Sequence, residues 1–298
     1  MLMSLLLPII HFKRMLDYAH LVAGLAGGFI STVAVHPLDL LKIRCAVNEG
    51  NVNIHPEFKG YVQVARSILS ERSIFGLYQG ITPNLVGSTI SWGVYFLLYN
   101  YFKDLIRSSL SLENLRAKHN LSAGFLAGNL TLLMTNPIWV AKTRLCLQYE
   151  GQPTSYRGFI DVLHKTFQGE GIRGLYKGFL PGVIGTSHGA LQFMAYEELK
   201  TNFGSSEPRS SEHLTFAAMS KIFAVCSTYP YQVVRARLQD QHASYDGILD
   251  VITKTWRQEG ALGFYKGLLP SMLRVTPATC VTFIVYEKVS QFIMETRK

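Results

Sequence analysis

One proline-containing pattern occurs three times in the chain: Pro37-Leu-Asp39-Leu-Leu-Lys42-Ile-Arg44, Pro137-Ile-Trp139-Val-Ala-Lys142-Thr-Arg144 and Pro230-Tyr-Gln232-Val-Val-Arg235-Ala-Arg237. A second pattern follows each copy, reading Gly76-Leu-Tyr78-Gln-Gly80-Ile-Thr-Pro83, Gly174-Leu-Tyr176-Lys-Gly178-Phe-Leu-Pro181 and Gly263-Phe-Tyr265-Lys-Gly267-Leu-Leu-Pro270. Two linked elements recurring in the same order mark a tandem triplicate, with a period of about 100 residues, too long for a short-repeat solenoid. The reading is a segment 1–17 followed by repeats at 18–110, 118–205 and 211–298 that make one domain. Its function is expected where the copies meet.

Only 16% of the residues are charged and mean hydropathy is +0.16, a balance that points to a membrane. The apolar stretches Leu21 to Val47, Gly80 to Ile106, Leu121 to Leu147 and Leu268 to Met294 are broken by Gly, Pro and a few charges. Helices that face lipid on one side and a water-filled cavity on the other have this composition, and a hydropathy window under-counts them. The net charge of +9 suits anionic lipid outside, anions inside, or both, and gives no reason to invoke nucleic acid. Cys45, Cys146, Cys226 and Cys280 have neither metal-ligand nor disulfide spacing.

Each repeat reads as a long helix kinked at its signature proline (Pro37, Pro137, Pro230), a polar loop holding a short amphipathic helix, and a second long helix. The short helices are placed at Glu57 to Leu69, Tyr156 to Phe167 and Tyr245 to Trp256, with Arg66, Lys165 and Lys254 suited to headgroups. Small residues at Gly24 and Gly28, and at Gly124 and Gly128, allow close helix approach in lipid. An even number of spans puts both termini on one side, and the basic loops go to the matrix or cytoplasmic face. The start, with Leu5 to Ile10 ahead of Lys13 and Arg14, reads as a ragged lead into a helix near Tyr18.

The signature, Pro-x-acid-x-x-basic-x-basic with its downstream aromatic-Lys-Gly, resembles that of the mitochondrial carrier family from about residue 18 onward. The resemblance implies an all-α membrane protein: six tilted helices about a pseudo-three-fold axis, three short matrix-side helices, and one solute site reached alternately from each side. It implies a monomer in the mitochondrial inner membrane with both termini toward the intermembrane space, no prosthetic group, no metal, and bound cardiolipin near Lys177 and Lys266. Signature residues would pair to shut the matrix side: Asp39 with Lys142, Trp139 with Arg235, Gln232 with Lys42, with Gln239 alongside. On the other side the implied pairs are Asn100 with Lys200, Glu197 with Ser290, and Glu287 with Lys103. With one complete ion pair on each side, reorientation without cargo is cheap, and uniport as well as exchange is expected. The first copy has Arg72-Ser73 where the others have Glu170-Gly171 and Glu259-Gly260.

Trp139, standing in place of an acid, offers a flat surface for a heterocycle and for a nearby cation such as Arg235. Lys221, in place of Gly28 and Gly128, is a cation inside a span and by default functional. The family's substrate positions fall on Gly87-Ser88, Ile184-Gly185 and Arg274-Val275; of these Arg274 has a fork suited to phosphate or carboxylate, and Gly185 would let a bulky ring approach the backbone. His188 and Gln192 share a face with Gly185, as Trp92 and Tyr95 do with Ser88.

Pro137-Ile-Trp139 resembles the branch that moves nucleotides and nucleotide-like cofactors, and Ser187 to Tyr196, Ser220 to Ala224 and Tyr229 to Gln241 look like its folate and FAD carriers. FAD or a reduced folate is the expected cargo, with NAD or a pyrimidine nucleotide as alternatives. From other classes come a leak channel and, through Gly185-Thr-Ser187-His-Gly189, a serine hydrolase. The latter motif requires a strand before the serine and a helix after it, and here it lies within an expected span.

Overall fold

The protein was described from a computed structural model that covers residues 2–48, 60–110, 117–149, 156–203 and 210–295. Among the described residues all regular structure is helical: α1 (Leu2–Val47), α2 (Tyr61–Arg72), a 3-10 turn (Ile74–Tyr78), α3 (Ile81–Ser109), α4 (Ala117–Cys146), α5 (Phe159–Leu175), α6 (Phe179–Gly185), α7 (His188–Phe203), α8 (Ser210–Gln239), α9 (Ile248–Gly263) and α10 (Leu268–Glu295). The odd member of each copy, α1, α4 or α8, continues as helix through its signature proline.

Three expectations are corrected. Helix α1 starts at Leu2 and not near Tyr18, in keeping with the helix-favouring Leu, Met, Lys and Arg of its first turns. The second copy's even helix is interrupted between α6 and α7, where the hydroxyls of Thr186 and Ser187 donate back to the carbonyls of Val183 (2.7 Å) and Ile184 (2.6 Å). The loop helices α5 and α9 begin three residues later than expected and run on past Phe167 and Trp256. Their starts are set by Gly158 and Gly247 and by acids that accept backbone N–H bonds: Asp161 from Arg157 (2.8 Å), Asp250 from Asp246 (3.1 Å). The residues 57–59 expected to open the first loop helix lie outside the described residues.

The break late in each loop helix has nearly the same backbone in all three copies: φ 64° and ψ −158° at the kinks at Gly171 in α5 and Gly260 in α9, and φ 58°, ψ −165° at Ser73, just after α2. Only glycine holds that conformation without strain.

The extensive helix pairs all join different copies: α3 with α4, α7 with α8, and α10 with α1. The left-handed glycine at the start of each even helix is seated on the next copy's odd helix. A Cβ at Gly80 would lie 2.8 Å from Cys146 Sγ, one at Gly178 2.9 Å from Arg235 Cγ, and one at Gly267 2.7 Å from the Lys42 carbonyl. The buried apolar clusters lie at this signature end: Leu40, Cys45, Val64, Ile68 and Cys146 in one, Ala46, Val225, Tyr229 and Val233 in the next, Ala141, Leu145 and Val162 in the third.

Elsewhere the long helices turn apolar side chains outward, among them Phe29, Phe96, Phe125, Met194, Phe223 and Phe283. Such a belt is costly in water and suits lipid. Among the described residues, Val22–Val47 and Leu268–Ile293 are long and apolar enough to cross a membrane by composition alone.

Candidate functional site

The turn after each signature proline delivers its polar side chains to a common point inside the bundle. Asp39 is the centre: its side chain is 6% exposed, Oδ2 accepts from Lys142 Nζ at 3.3 Å and from Asn84 Nδ2 at 3.4 Å, and Oδ1 accepts from Arg274 Nη1 at 2.8 Å. Beside it Lys42 Nζ donates to Gln232 Oε1 at 2.5 Å. The Trp139–Arg235 pair is not formed. Arg235 Nη2 donates to Asn136 Oδ1 at 3.2 Å, and the cation near the Trp139 ring is Lys142, 5.4 Å from its centroid. The reason is local: Asn136 Nδ2 is held by the Leu175 carbonyl at 2.9 Å, which presents Oδ1 to a guanidinium, and a charge-assisted hydrogen bond outweighs a cation–π contact.

Two cavities meet this layer. One of about 340 Å³ is lined by Asp39, Lys42, Ser88, Trp139, Lys142 and Arg274, among others. A smaller one of about 170 Å³ shares Lys42, Trp139 and Lys142 but adds Thr143, Arg235 and Gln239. Gln239 ties copies together, accepting from Thr143 Oγ1 at 2.7 Å and donating to the Lys177 carbonyl at 3.2 Å.

A second polar group lies on α7 and α8: Lys221 Nζ donates to Gln192 Oε1 at 3.2 Å, and His188 Nδ1 is 2.9 Å from Thr228 Oγ1. Gly185 does not admit a ligand ring, because Tyr231 already fills the space: a Cβ there would meet its Cζ at 2.5 Å. Ser88 lines the larger cavity and donates to the Leu85 carbonyl (3.0 Å). Trp92 is 62% exposed, stacked on Phe96 at 5.6 Å, and lines neither cavity. The hydrolase motif falls in the turn between α6 and α7 with no strand before it. Its Ser187 hydroxyl is spent on Ile184, and His188 faces Thr228.

At the opposite end the motif residues stand apart. Asn100, Glu197, Lys200 and Glu287 are exposed, Lys103 lies 5.2 Å from the ring centroid of Tyr99 on its own helix, and none of the three expected outer pairs is formed among the described residues. Polar side chains thus join the helices at the signature end, and among the described residues none of the expected pairs joins them at the other.

Beneath the gate, Arg144 meets Glu170 at 2.6 Å and Arg237 meets Glu259 at 2.8 Å; Lys177 and Lys266 add a second cation to the same carboxylates, at 2.8 and 2.9 Å. Burial raises the pKa of the Glu170 carboxyl, but the bond from Lys177 and the Arg144 guanidinium more than offset this and hold it below its ordinary value. Lys177 and Lys266, expected at lipid headgroups, are thus engaged within the protein. In the first copy, where Arg72 replaces the acid, Arg44 turns instead to the carbonyls of Cys146 (3.0 Å) and Gln148 (3.3 Å) in the second copy and to Gln79 Oε1 (3.1 Å).

The sequence reading missed the residue before each signature proline. His36 Nε2 is 2.9 Å from the Gln79 carbonyl, Asn136 bonds the carbonyls of Leu175 and Lys177, and Tyr229 Oη donates to that of Lys266 at 3.3 Å. Each satisfies a carbonyl orphaned by the left-handed glycine turn. Their signal was available: a hydrogen-bonding side chain precedes the proline in every copy.

A helical bundle with an apolar exterior, a cationic cavity and ion pairs joining its helices at one end is built as a solute transporter. The chain belongs to the mitochondrial carrier family, whose profile, described as mitochondrial carrier protein, matches residues 15–110, 113–207 and 206–297. It is 41% identical to an uncharacterized mitochondrial carrier of Schizosaccharomyces pombe, over 90% of this chain and 94% of that one. Identity is 38% to the chloroplastic folate transporter 1 of Arabidopsis thaliana (94% and 96% covered) and 34% to the mitochondrial FAD carrier protein FLX1 of Saccharomyces cerevisiae (89% and 94% covered).

Proposed function

We propose that this protein is a carrier of the mitochondrial inner membrane that moves an anionic heterocyclic cofactor, FAD or a reduced folate, by alternating access at one central site. The observation that carries the reading is the cavity at Asp39: three cations, Lys42, Lys142 and Arg274, surround one carboxylate, and the Trp139 ring forms part of the same wall. Excess positive charge attracts phosphate or carboxylate, and an indole face suits a flavin or pterin ring. The names of the Arabidopsis and yeast relatives agree with that pairing.

In this reading the three repeats supply six tilted spans around a pseudo-three-fold axis. The cyclic seating of Gly80, Gly178 and Gly267 supports that symmetry. Both termini face the intermembrane space, the protein works as a monomer, and cardiolipin headgroups are held at the starts of the even helices. Cargo enters from the end opposite the signatures, reaches Arg274 and Trp139, and its binding offsets the opening of the Asp39–Lys142 pair; the outer residues Lys103, Lys200, Glu197 and Glu287 then close behind it. Lys221, Gln192 and His188 line its path.

The test is uptake into liposomes carrying the purified protein, with labelled FAD, reduced folate, NAD and UTP side by side, with and without internal substrate. Accumulation of FAD or folate supports the assignment. Preference for NAD or UTP transfers it to those nucleotides, and current without any substrate marks a leak channel.

A further inference from the structure

We infer that the smaller cavity at the signature end is a binding site for a small inorganic anion, of phosphate or chloride size, which supplies the negative charge that the second and third copies lack. The copies place Asp39, Trp139 and Gln232 at one signature position, and Lys42, Lys142 and Arg235 at the basic position that follows. The basic position is thus filled in every copy and the acidic one in the first alone. That single carboxylate is already committed: Asp39 divides its oxygens between Lys142 at 3.3 Å and Arg274 at 2.8 Å. Lys42 and Arg235 are left with neutral partners. Lys42 meets the Gln232 amide at 2.5 Å and the Tyr229 ring at 5.8 Å, Arg235 meets Asn136 at 3.2 Å, and neither forms an ion pair among the described residues.

Both line the 170 Å³ cavity together with Lys142, and its wall contains no acid. Three cations around one space repel one another, and low-dielectric walls intensify the positive potential they share. Arg235 cannot relieve this by releasing a proton, since a guanidinium stays charged. Nor can it swing away. Its stem is packed against the start of α6, where a Cβ at Gly178 would lie 2.9 Å from Cγ and one at Gly182 3.4 Å from Cζ. Of its fork, Nη2 alone has an acceptor among the described residues. Gln232 adds a neutral donor: an ammonium can only donate, so Lys42 holds the amide oxygen and leaves Nε2 over. Ammonium, guanidinium and amide N–H groups around one small space suit an oxyanion or a halide. The volume is too small for a flavin or pterin cofactor, because pockets for ligands of that size start at about 300 Å³. Bound there, the anion bridges Lys42 of α1 and Arg235 of α8, joining the first copy to the third by charge as Asp39 joins the first to the second. Neither the ion nor its site depends on which cofactor the protein carries.

Thermal unfolding of the full-length protein in detergent tests the site, with sodium phosphate or sodium chloride replacing sodium gluconate at constant ionic strength. Gluconate, a six-carbon chain, does not fit the cavity. Phosphate or chloride is expected to raise the unfolding midpoint saturably, by about 3 °C at roughly ten times its half-saturating concentration, and the salt that acts identifies the ion. Gln232→Glu places a carboxylate beside Lys42, and is expected to abolish the response while raising the midpoint in gluconate alone. Arg235→Gln serves if Gln232→Glu does not fold, with an expected rise of about tenfold in the half-saturating concentration. Arg274→Gln, a change in the larger cavity, is expected to leave the response in place. The absence of a saturable rise over gluconate overturns the inference, as does a response that survives Gln232→Glu or Arg235→Gln undiminished. Loss of the response in Arg274→Gln with retention in Arg235→Gln also overturns it, since the anion then lies in the larger cavity.

Discussion

At the signature end every copy reaches its neighbours through polar side chains, Asp39 to Lys142 and Arg274, Lys42 to Gln232, Arg44 and Arg237 to carbonyls of the next copy. At the far end, among the described residues, Lys200, Glu197 and Glu287 are exposed and half-buried Lys103 rests over the ring of Tyr99 on its own helix, with no ion pair across the bundle. Composition does not separate the two ends; burial and pairing of the side chains do. A carboxylate buried at 6% exposure fixes a geometry, whereas the exposed acids and lysines are worth little until the helices approach.

That contrast is broken most forcefully from beneath the gate. Glu259→Gln leaves the Arg237 guanidinium, 1% exposed, without its counter-charge, and is expected to cost about 3 kcal/mol, read as a lower unfolding midpoint in detergent. Glu170→Gln is expected to cost less, because that carboxylate is 31% exposed. It also carries a pH signature. Its folded pKa is depressed, so its contribution is present above the ordinary value of 4.5 and lost as pH falls below it. An acid-unfolding curve should therefore flatten in Glu170→Gln.

Lys142→Gln removes one side of the gate and is expected to raise cargo-independent reorientation about tenfold, the equivalent of ~1.4 kcal/mol, measured as uniport into empty liposomes. Ser73→Gly, at the signature end, is expected to gain about 1 kcal/mol by relieving the left-handed serine, whereas Gly260→Ser loses a similar amount. The smallest effect belongs to the far end: Lys200→Gln is expected to shift stability by less than about 0.5 kcal/mol, because Lys200 is exposed, while slowing exchange if the proposed outer pairs form during the cycle. A large loss of stability in Lys200→Gln would show that the far end is already joined.

The triplicate, the family and the helical class were legible because a proline and charges at fixed spacing recur in order. What escaped the sequence depends on which neighbour has a bond to spare. The Arg235 side chain went to Asn136 and not to Trp139 because an amide oxygen had been left free by a bond its nitrogen makes elsewhere. Gly185 looked like open space, and the ring that fills it, Tyr231, comes from the following copy. The interruption after α6 rests on two hydroxyls whose turn toward their own backbone no spacing rule reveals. Arg274 was readable as a cation facing cargo, but its bond to Asp39 joins residues far apart in the chain.

The pairing of α1 with α10 has a consequence for how the protein is made. Ser31 Oγ reaches the Ala278 carbonyl at 2.8 Å, and a Cβ at Gly27 would lie 2.9 Å from the carbonyl of Thr282, so the first helix waits for the last. A chain halted before α10 keeps the face around Gly27 and Ser31 bare, and no single repeat contains its own main contacts. Assembly of the ring therefore completes only after synthesis of the C-terminal helix, and premature termination anywhere yields an unsealed product that chaperones and proteases can recognise by that bare face.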